Sequence, residues 1–163
     1  MRILGVDPGI ARAGWGIIEI NPPDGGSKLK VIKYGCLETD SKENVAQRLE
    51  KIYNGISELI NKYKPEEMAV EELFFNTNAK TAFIVGQARG AIILAGAKSN
   101  ILCFSYTPLQ VKIAVSGYGR AEKNQVAQMV KTILSLKEIP KPDDTTDALA
   151  VALTHAFSRK SPK

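Results

Sequence analysis

RILGVDPGIARAGWGIIEI, residues 2–20, is the stretch of sequence that decides the fold. Residues 2–7 form a short apolar run that closes on Asp7 and is followed by Pro8-Gly9, a pattern typical of a buried strand and a turn. Residues 14–20 (GWGIIEI) have the composition of a second strand, and residues 29–37 (LKVIKYGCL) that of a third. The order of these segments predicts an antiparallel hairpin unit at the beginning of the domain.

Helices and strands alternate after this unit. From Val45, apolar residues recur at three- and four-residue spacing, which predicts an amphipathic helix. Asp40 and Glu43 offer a capping box for its start, and Thr107 with Pro108 is expected to begin another helix. The other predicted elements are strands at 68–71 and 101–106 and helices at about 79–98, 122–135 and 144–158.

This order indicates an α/β fold with a mixed five-stranded sheet flanked by helices. We expect one domain over residues 1–158, followed by a basic C-terminal tail at 159–163. No apolar run reaches the ~18 residues of a membrane span. The isolated Cys36 and Cys103 are typical of a reduced protein, so we expect a cytoplasmic location without secretion.

The charge is unevenly distributed along the chain. The net charge is +5, but residues 1–79 carry 10 basic and 12 acidic side chains, whereas residues 80–163 carry 12 basic and 5 acidic ones. A basic second half favours binding to a polyanion such as a nucleic acid. Lysines that serve only solubility would give the same count.

Four carboxylates are the candidate catalytic and metal-binding residues. Asp7 and Glu71 each close an apolar strand, and the carboxyl ends of neighbouring parallel strands lie at one edge of a sheet. Asp144 and Asp147 are three residues apart and share one face of the last predicted helix. Clustered carboxylates repel one another, and hard cations such as Mg²⁺ or Mn²⁺ relieve that repulsion. Two such ions can catalyse phosphodiester hydrolysis.

Structural interpretations of these acids remain open at this point. Asp144 is also a candidate N-cap with Asp147 as its partner, and Asp7 is also a candidate for initiating the turn at Pro8-Gly9. His155 would lie about 16 Å from Asp144 along one helix. That distance excludes the same metal site, so we interpret His155 as structural or surface-exposed.

Five blocks of sequence resemble RuvC-type Holliday-junction resolvases. They are ILGVDPGIARAGWG, VEELFF, GQARGAI, GYGRAEKNQV and DDTTDALAVALTH, and they occur in order from residue 3 to about 156. The resemblance implies an RNase H-like fold, a Mg²⁺-dependent endonuclease that nicks four-way DNA junctions symmetrically in recombination and repair, and a homodimer. It also implies Asp7, Glu71, Asp144 and Asp147 as the catalytic quartet.

The resemblance further implies DNA-contacting residues outside the quartet. Phe74 corresponds to an aromatic residue that stacks on junction bases, although Phe75 competes with it for the outward position. Lys112 and Lys123 correspond to basic positions near the scissile strand, and Arg120 and the tail are candidates for additional phosphate contacts. The Gly/Ala-rich helix at 84–97 is our candidate for the dimer interface, and a branch-migration helicase complex is a possible partner.

Two other functions remain as alternatives. A related RNase H-like nuclease would act on structured RNA, whereas a non-catalytic protein would bind junctions without cutting them. The GYGRAEK and DALAVALTH blocks favour the DNA-junction nuclease, and the presence of all four acids argues against a non-catalytic protein.

Overall fold

The fold is built from ten elements in a computed structural model that describes residues 1–21, 28–72 and 79–159. The elements in chain order are β1 (Arg2–Asp7), β2 (Arg12–Ile20), β3 (Leu29–Glu38), α1 (Val45–Tyr63), β4 (Glu67–Glu71), α2 (Ala79–Lys98), β5 (Leu102–Tyr106), α3 (Pro108–Ser116), α4 (Lys123–Ile133) and α5 (Asp143–Ser158). Within these ranges, no helix is both long enough and apolar enough to span a membrane.

The strands form one mixed sheet in the order β3-β2-β1-β4-β5. β2 is antiparallel to both β1 and β3, whereas β4 is parallel to β1 and β5. The predicted α/β fold with a mixed five-stranded sheet is confirmed. β1 lies at the centre of the sheet, and its pairing with β4 places Val6 opposite Val70. Asp7 and Glu71 each follow by one residue, so the two acids end neighbouring parallel strands.

Successive strand residues point to opposite faces of the sheet, and each face supports its own core. Leu4 and Val70 pack with α1 and α2, where Ile56 and Ile92 are fully buried. Ile3 and Ala69 point to the other face and belong to the core formed with α3, α4 and α5. The sheet is therefore covered by helices on both sides.

Helix α5 is the most deeply buried helix, since every residue from Ala148 to His155 is buried. Three glycines of β1 and β2 allow it to approach the sheet closely. A Cβ atom on Gly5 would lie 2.2 Å from the carbonyl oxygen of Ala148, and one on Gly14 would lie 1.9 Å from that of Asp144. At Gly16 the nearest atom is Cδ2 of Leu149, at 2.5 Å. The first turn of α5 is thereby held against the strand beside Asp7.

Of the two helix caps predicted from the sequence, the one at α1 is wrong and the one at α3 is confirmed. The N-cap of α1 is Asn44, in a capping box with Gln47, so the predicted box of Asp40 and Glu43 is wrong. The side chain of Asp40 instead accepts a hydrogen bond from the backbone of Lys42 in the preceding turn. At α3 the predicted cap is confirmed, because Thr107 and Gln110 form a reciprocal capping box with proline at the first position.

Candidate active site

Asp7 and Glu71 are joined by a side-chain hydrogen bond at the ends of β1 and β4. Burial and, to a smaller extent, the charges of Glu71, Asp147 and Asp144 together raise the pKa of Asp7 to about 8. The pKa of Glu71 is raised to about 7, because burial and the charge of Asp147 outweigh the lowering effects of the hydrogen bond with Asp7 and the charge of Lys123. At neutral pH this pair therefore holds a proton between two carboxylates that would otherwise repel each other.

Helix α5 brings the other two predicted acids to the same place. Asp144 lies in its first turn, and Asp147 lies one turn further along the same face. The charges of both raise the pKa of Asp7, which requires that they lie near it. Burial raises the pKa of Asp147 itself, against the effect of Lys123. The four acids predicted from sequence are thus gathered from three separate elements.

The structural interpretation of Asp144 as an N-cap is wrong. The N-cap of α5 is Pro142, and the helix start has no side-chain cap hydrogen bond. Asp143 and Asp144 both lie inside the first turn, where negative charge interacts favourably with the helix dipole. Helix capping therefore does not explain why the carboxylate of Asp144 is half-buried.

Lys123 forms ion pairs with two aspartates at the beginning of α5. Its Nζ lies 2.8 Å from Oδ2 of Asp147 and 3.6 Å from Oδ2 of Asp143. Partial burial lowers the pKa of Lys123, but the hydrogen bond to Asp147 and the nearby negative charges outweigh it and raise the pKa above its ordinary value. The family resemblance implies that Lys123 contacts DNA, but it gives no indication of this ion pair.

A cleft of about 250 Å³ opens beside these groups, and Lys112, Lys123, Glu71 and Asp147 all contribute to its wall. Two of the predicted basic residues are therefore brought together with two of the acids. Arg120 lies in the exposed turn between α3 and α4 and does not line this cleft.

The donor set fits a hard divalent cation. Every candidate ligand is a carboxylate oxygen. Repulsion between the carboxylates contributes to the raised pKa values of Asp7 and Glu71, and a bound cation would relieve that repulsion. Among the residues that the structure describes, no group of three or more aspartate, glutamate, histidine or cysteine side chains is arranged so that it could hold a metal ion. The charge is balanced instead by the shared proton and by Lys123, both of which a cation would have to displace.

His155 is structural, and the alternative that it is surface-exposed is wrong. The residue is 1% exposed, with Nδ1 2.7 Å from the hydroxyl of Tyr106 and Nε2 2.6 Å from Oε2 of Glu67. Arg159 also pairs with Glu67, at 2.8 Å. This network ties the C-terminal end of α5 to β4 and β5, and it includes none of the four acids.

Arg89 is a functional candidate that was not predicted from the sequence. Its Nε–H donates to the backbone carbonyl oxygen of Glu71 over 3.2 Å, and its Nη2 donates to Oγ of Ser105 over 2.6 Å. The GQARGAI block contains the residue, but this block was interpreted only as part of the family resemblance and of the candidate dimer helix at 84–97. The available signal was a single arginine in a helix otherwise rich in alanine, glycine and isoleucine.

Several predictions fall on residues outside the described ranges. Phe74, Phe75 and the last four residues of the basic tail are among them. The predicted dimer helix is α2, which has Phe83 67% exposed and Leu94 53% exposed. Phe83 and Leu94 lie eleven positions apart, which is about three helical turns, so both are on the same face of α2. The exposed Gly90, about two turns after Phe83, lies on that face as well.

Acids that converge from two parallel strand ends and a helix, on a sheet whose first three strands are antiparallel, define an RNase H-like nuclease. A scan of known families supports a narrower assignment, because the family described as crossover junction endodeoxyribonuclease RuvC matches residues 3–155. This chain belongs to the RuvC family. The RNase H-like fold and the endonuclease class implied by the sequence resemblance are confirmed, and membership also implies use of a divalent metal ion.

Individual relatives agree with this assignment over nearly the whole chain. The crossover junction endodeoxyribonuclease RuvC of Desulforamulus reducens is 57% identical over 96% of this chain and 93% of its own length. That of Alkaliphilus metalliredigens is 55% identical over 97% and 94%. The solved structure of Thermus thermophilus RuvC in complex with a Holliday junction substrate superposes with a TM-score of 0.89 at 38% identity, covering 96% of this chain and 93% of the other.

Proposed function

We propose that this protein is a structure-selective endonuclease that resolves four-way (Holliday) DNA junctions by paired symmetric nicks during homologous recombination and repair. The observation that carries the proposal is the proximity of Asp7, Glu71, Asp144 and Asp147 to one another, beside a cleft whose wall includes Lys112 and Lys123. Family membership supports the substrate, since the similar Thermus thermophilus structure contains a Holliday junction.

The four acids would hold Mg²⁺, with two ions in each active site and Mn²⁺ as a substitute. The ions would supply an activated water and a stabilised leaving oxygen for phosphodiester hydrolysis. Asp7 and Glu71 would give up their shared proton on binding, because carboxylates coordinate cations in the ionised form. Asp147 would exchange its ion pair with Lys123 for the metal, which would release the ammonium group toward a phosphate.

The remaining contacts in the proposal concern DNA. Lys112 shares the cleft with Lys123 and would contact the scissile strand. Arg120 would add a phosphate contact from its exposed turn. Phe74, whose placement lies outside the described residues, would stack on an unpaired base, an interaction that contributes about 1–3 kcal/mol.

A homodimer completes the proposal. A folded four-way junction is approximately two-fold symmetric, so two copies of one site related by a two-fold axis would deliver the paired cuts. The apolar face of α2, with Phe83 and Leu94 exposed, is the proposed interface. We also propose a cytoplasmic location, a single nuclease domain over residues 1–158, and a branch-migration helicase complex as a partner.

The test is incubation of the purified protein with a synthetic four-way junction, with Mg²⁺ or with a chelator. We expect symmetric nicks with Mg²⁺ only. Asp7→Asn should abolish cleavage while junction binding survives, and Asp40→Asn is the matched control because Asp40 is exposed and is not among the groups that shift the pKa of Asp7 or Glu71. Nicking by Asp7→Asn in Mg²⁺ would refute the assigned role.

The same assay, run with a structured RNA as a second substrate, separates the alternative functions. A nuclease for structured RNA would cut folded RNA in preference to the junction, and a non-catalytic binder would retain the junction without cutting it under any metal condition. Either result would overturn the proposal.

A further inference from the structure

We propose that Arg89 is a positioning residue that fixes the direction of the Glu71 carboxylate by holding the backbone of Glu71 from the opposite face of the sheet. This inference rests on the proposed function of Glu71 as a metal ligand. Arg89 itself would touch neither the metal nor the DNA.

The strand alternation separates Arg89 from the side chain that it would control. Val70 packs into the core formed with α1 and α2, so Glu71 points to the face covered by α5. The influence of Asp147, a residue of α5, on the pKa of Glu71 agrees with this direction. Arg89 belongs to α2 and therefore approaches Glu71 from behind, where only the backbone is within reach.

The backbone of Glu71 needs a support at this point. The pairing of β1 with β4 ends at Val6 and Val70, one residue before Glu71. On the other side, β5 continues to pair through Tyr106, whose carbonyl oxygen accepts the N–H of Glu72 over 2.8 Å. The carbonyl of Glu71 accepts its hydrogen bond from Arg89, and the orientation of that carbonyl is set by the ψ angle of Glu71. Fixing the carbonyl therefore restricts rotation at the end of the strand.

Arg89 is held in place by the packing of α2 against the sheet and by the hydrogen bonds of its own guanidinium group. Its neighbour Ala88 and the residue one turn later, Ile92, are fully buried against the sheet. Further along α2, Gly96 lies so close to the strands that a Cβ there would be 2.6 Å from both Sγ of Cys103 and Cε of Met68. The planar guanidinium then spans β4 and β5 by donating to Glu71 and to Ser105. A lysine has a single nitrogen in place of this planar fork and would not reproduce the geometry of both hydrogen bonds.

The experiment compares Arg89→Ala and Arg89→Lys with a matched control, Arg48→Ala. Arg48 is also a half-buried arginine on a helix, and its Nε donates to Oγ1 of Thr39 over 2.8 Å, a contact that includes none of the four acids. Three quantities are measured after thermal melts have shown that each variant is folded: kcat on the junction with Mg²⁺, Kd for the junction in chelator, and Mn²⁺ affinity of the DNA-free protein by calorimetry.

We expect Arg89→Ala to lower kcat and Mn²⁺ affinity by about 10- to 100-fold, the effect typical of lost support to a metal ligand. Junction Kd should stay within about three-fold of the unmodified protein, and Arg89→Lys should recover part of the loss. The idea is overturned if Arg89→Ala matches Arg48→Ala in kcat and Mn²⁺ affinity, or if junction binding falls as much as kcat. If Arg89→Ala does not fold, an Arg89→Lys variant with unchanged kcat and Mn²⁺ affinity would overturn it equally.

A Glu71→Gln variant keeps this test separate from the proposed function. Full cleavage by Glu71→Gln would remove Glu71 from the metal site and refute that part of the proposed function. An inactive Glu71→Gln beside a fully active Arg89→Ala would leave the proposed function intact and refute only the role of Arg89.

Discussion

Gly14→Ala should separate the two halves of the acid cluster without changing any acid. A Cβ on Gly14 would lie 1.9 Å from the carbonyl oxygen and 2.3 Å from the carbonyl carbon of Asp144. These are backbone atoms in the first turn of α5, so no side-chain rotation relieves the clash. Ordinary contact begins at 3.4 Å, and the helix start must therefore retreat by about 1.5 Å from β2.

That displacement moves Asp144 and Asp147 away from Asp7 and Glu71, which stay on their strands. A misplacement of about 1 Å in a catalytic group is able to cost about 100-fold in rate. We therefore expect kcat on a four-way junction to fall by about 100-fold or more, with junction binding nearly unchanged. Single-turnover cleavage in Mg²⁺ and binding in chelator measure the two effects separately.

Gly16→Ala is the matched control for this prediction. It lies two residues further along the same strand and faces the same helix, but its new Cβ would meet the side-chain atoms Cδ2 and Cγ of Leu149 at 2.5 and 2.8 Å. A shift of one leucine should lower the melting temperature and spare the position of the acids. The reasoning is refuted if folded Gly14→Ala cleaves within about three-fold of the unmodified protein, or if both variants lose the same kcat.

Three further predictions concern Asp7, Phe74 and His155. Folded Asp7 has its pKa raised to about 8, so it holds a proton that the unfolded chain releases near its ordinary value of 3.8; in chelator, stability should fall as pH rises between these values, and Asp7→Asn should gain melting temperature over the unmodified protein at pH 8 but not below pH 4. Phe74→Ala should weaken cleavage more than folding, and an equal loss of thermal stability would mark it as a core residue. His155→Ala leaves Tyr106 and Glu67 without their buried partner, so it should destabilise the fold by about 1–3 kcal/mol in denaturant titrations while kcat well below the melting temperature is retained; a selective loss of kcat would contradict its structural role.

The acids were predictable from sequence because their positions follow from periodic patterns. Asp7 and Glu71 each end an apolar strand run, and a parallel pairing of those strands suffices to bring them together. Asp144 and Asp147 follow from helical spacing alone. The start of α1 at Val45 was likewise visible in its apolar spacing, and the structure confirms it.

Features that depend on tertiary contact were not predictable in the same way. Asp40 and Glu43 satisfy the capping-box pattern as well as Asn44 and Gln47 do, and the path of the chain out of β3 decides between the two pairs. The pairing of Lys123 with Asp147 requires knowledge of how α4 lies against α5. Arg89 likewise gains its significance only when α2 is placed across β4 and β5.

The carboxylates that α5 carries lie more than 130 residues along the chain from Asp7, and the helix reaches its place only by docking on the middle of the sheet. We expect contacts between such remote segments to form late in folding, because closing a long loop costs entropy before it yields any stabilisation. A partly folded molecule would therefore lack two of the four proposed cation ligands and would be unable to cleave DNA. Cleavage competence should arise together with the last step of folding, so that nicking activity in a refolding experiment would report on molecules that have become fully native.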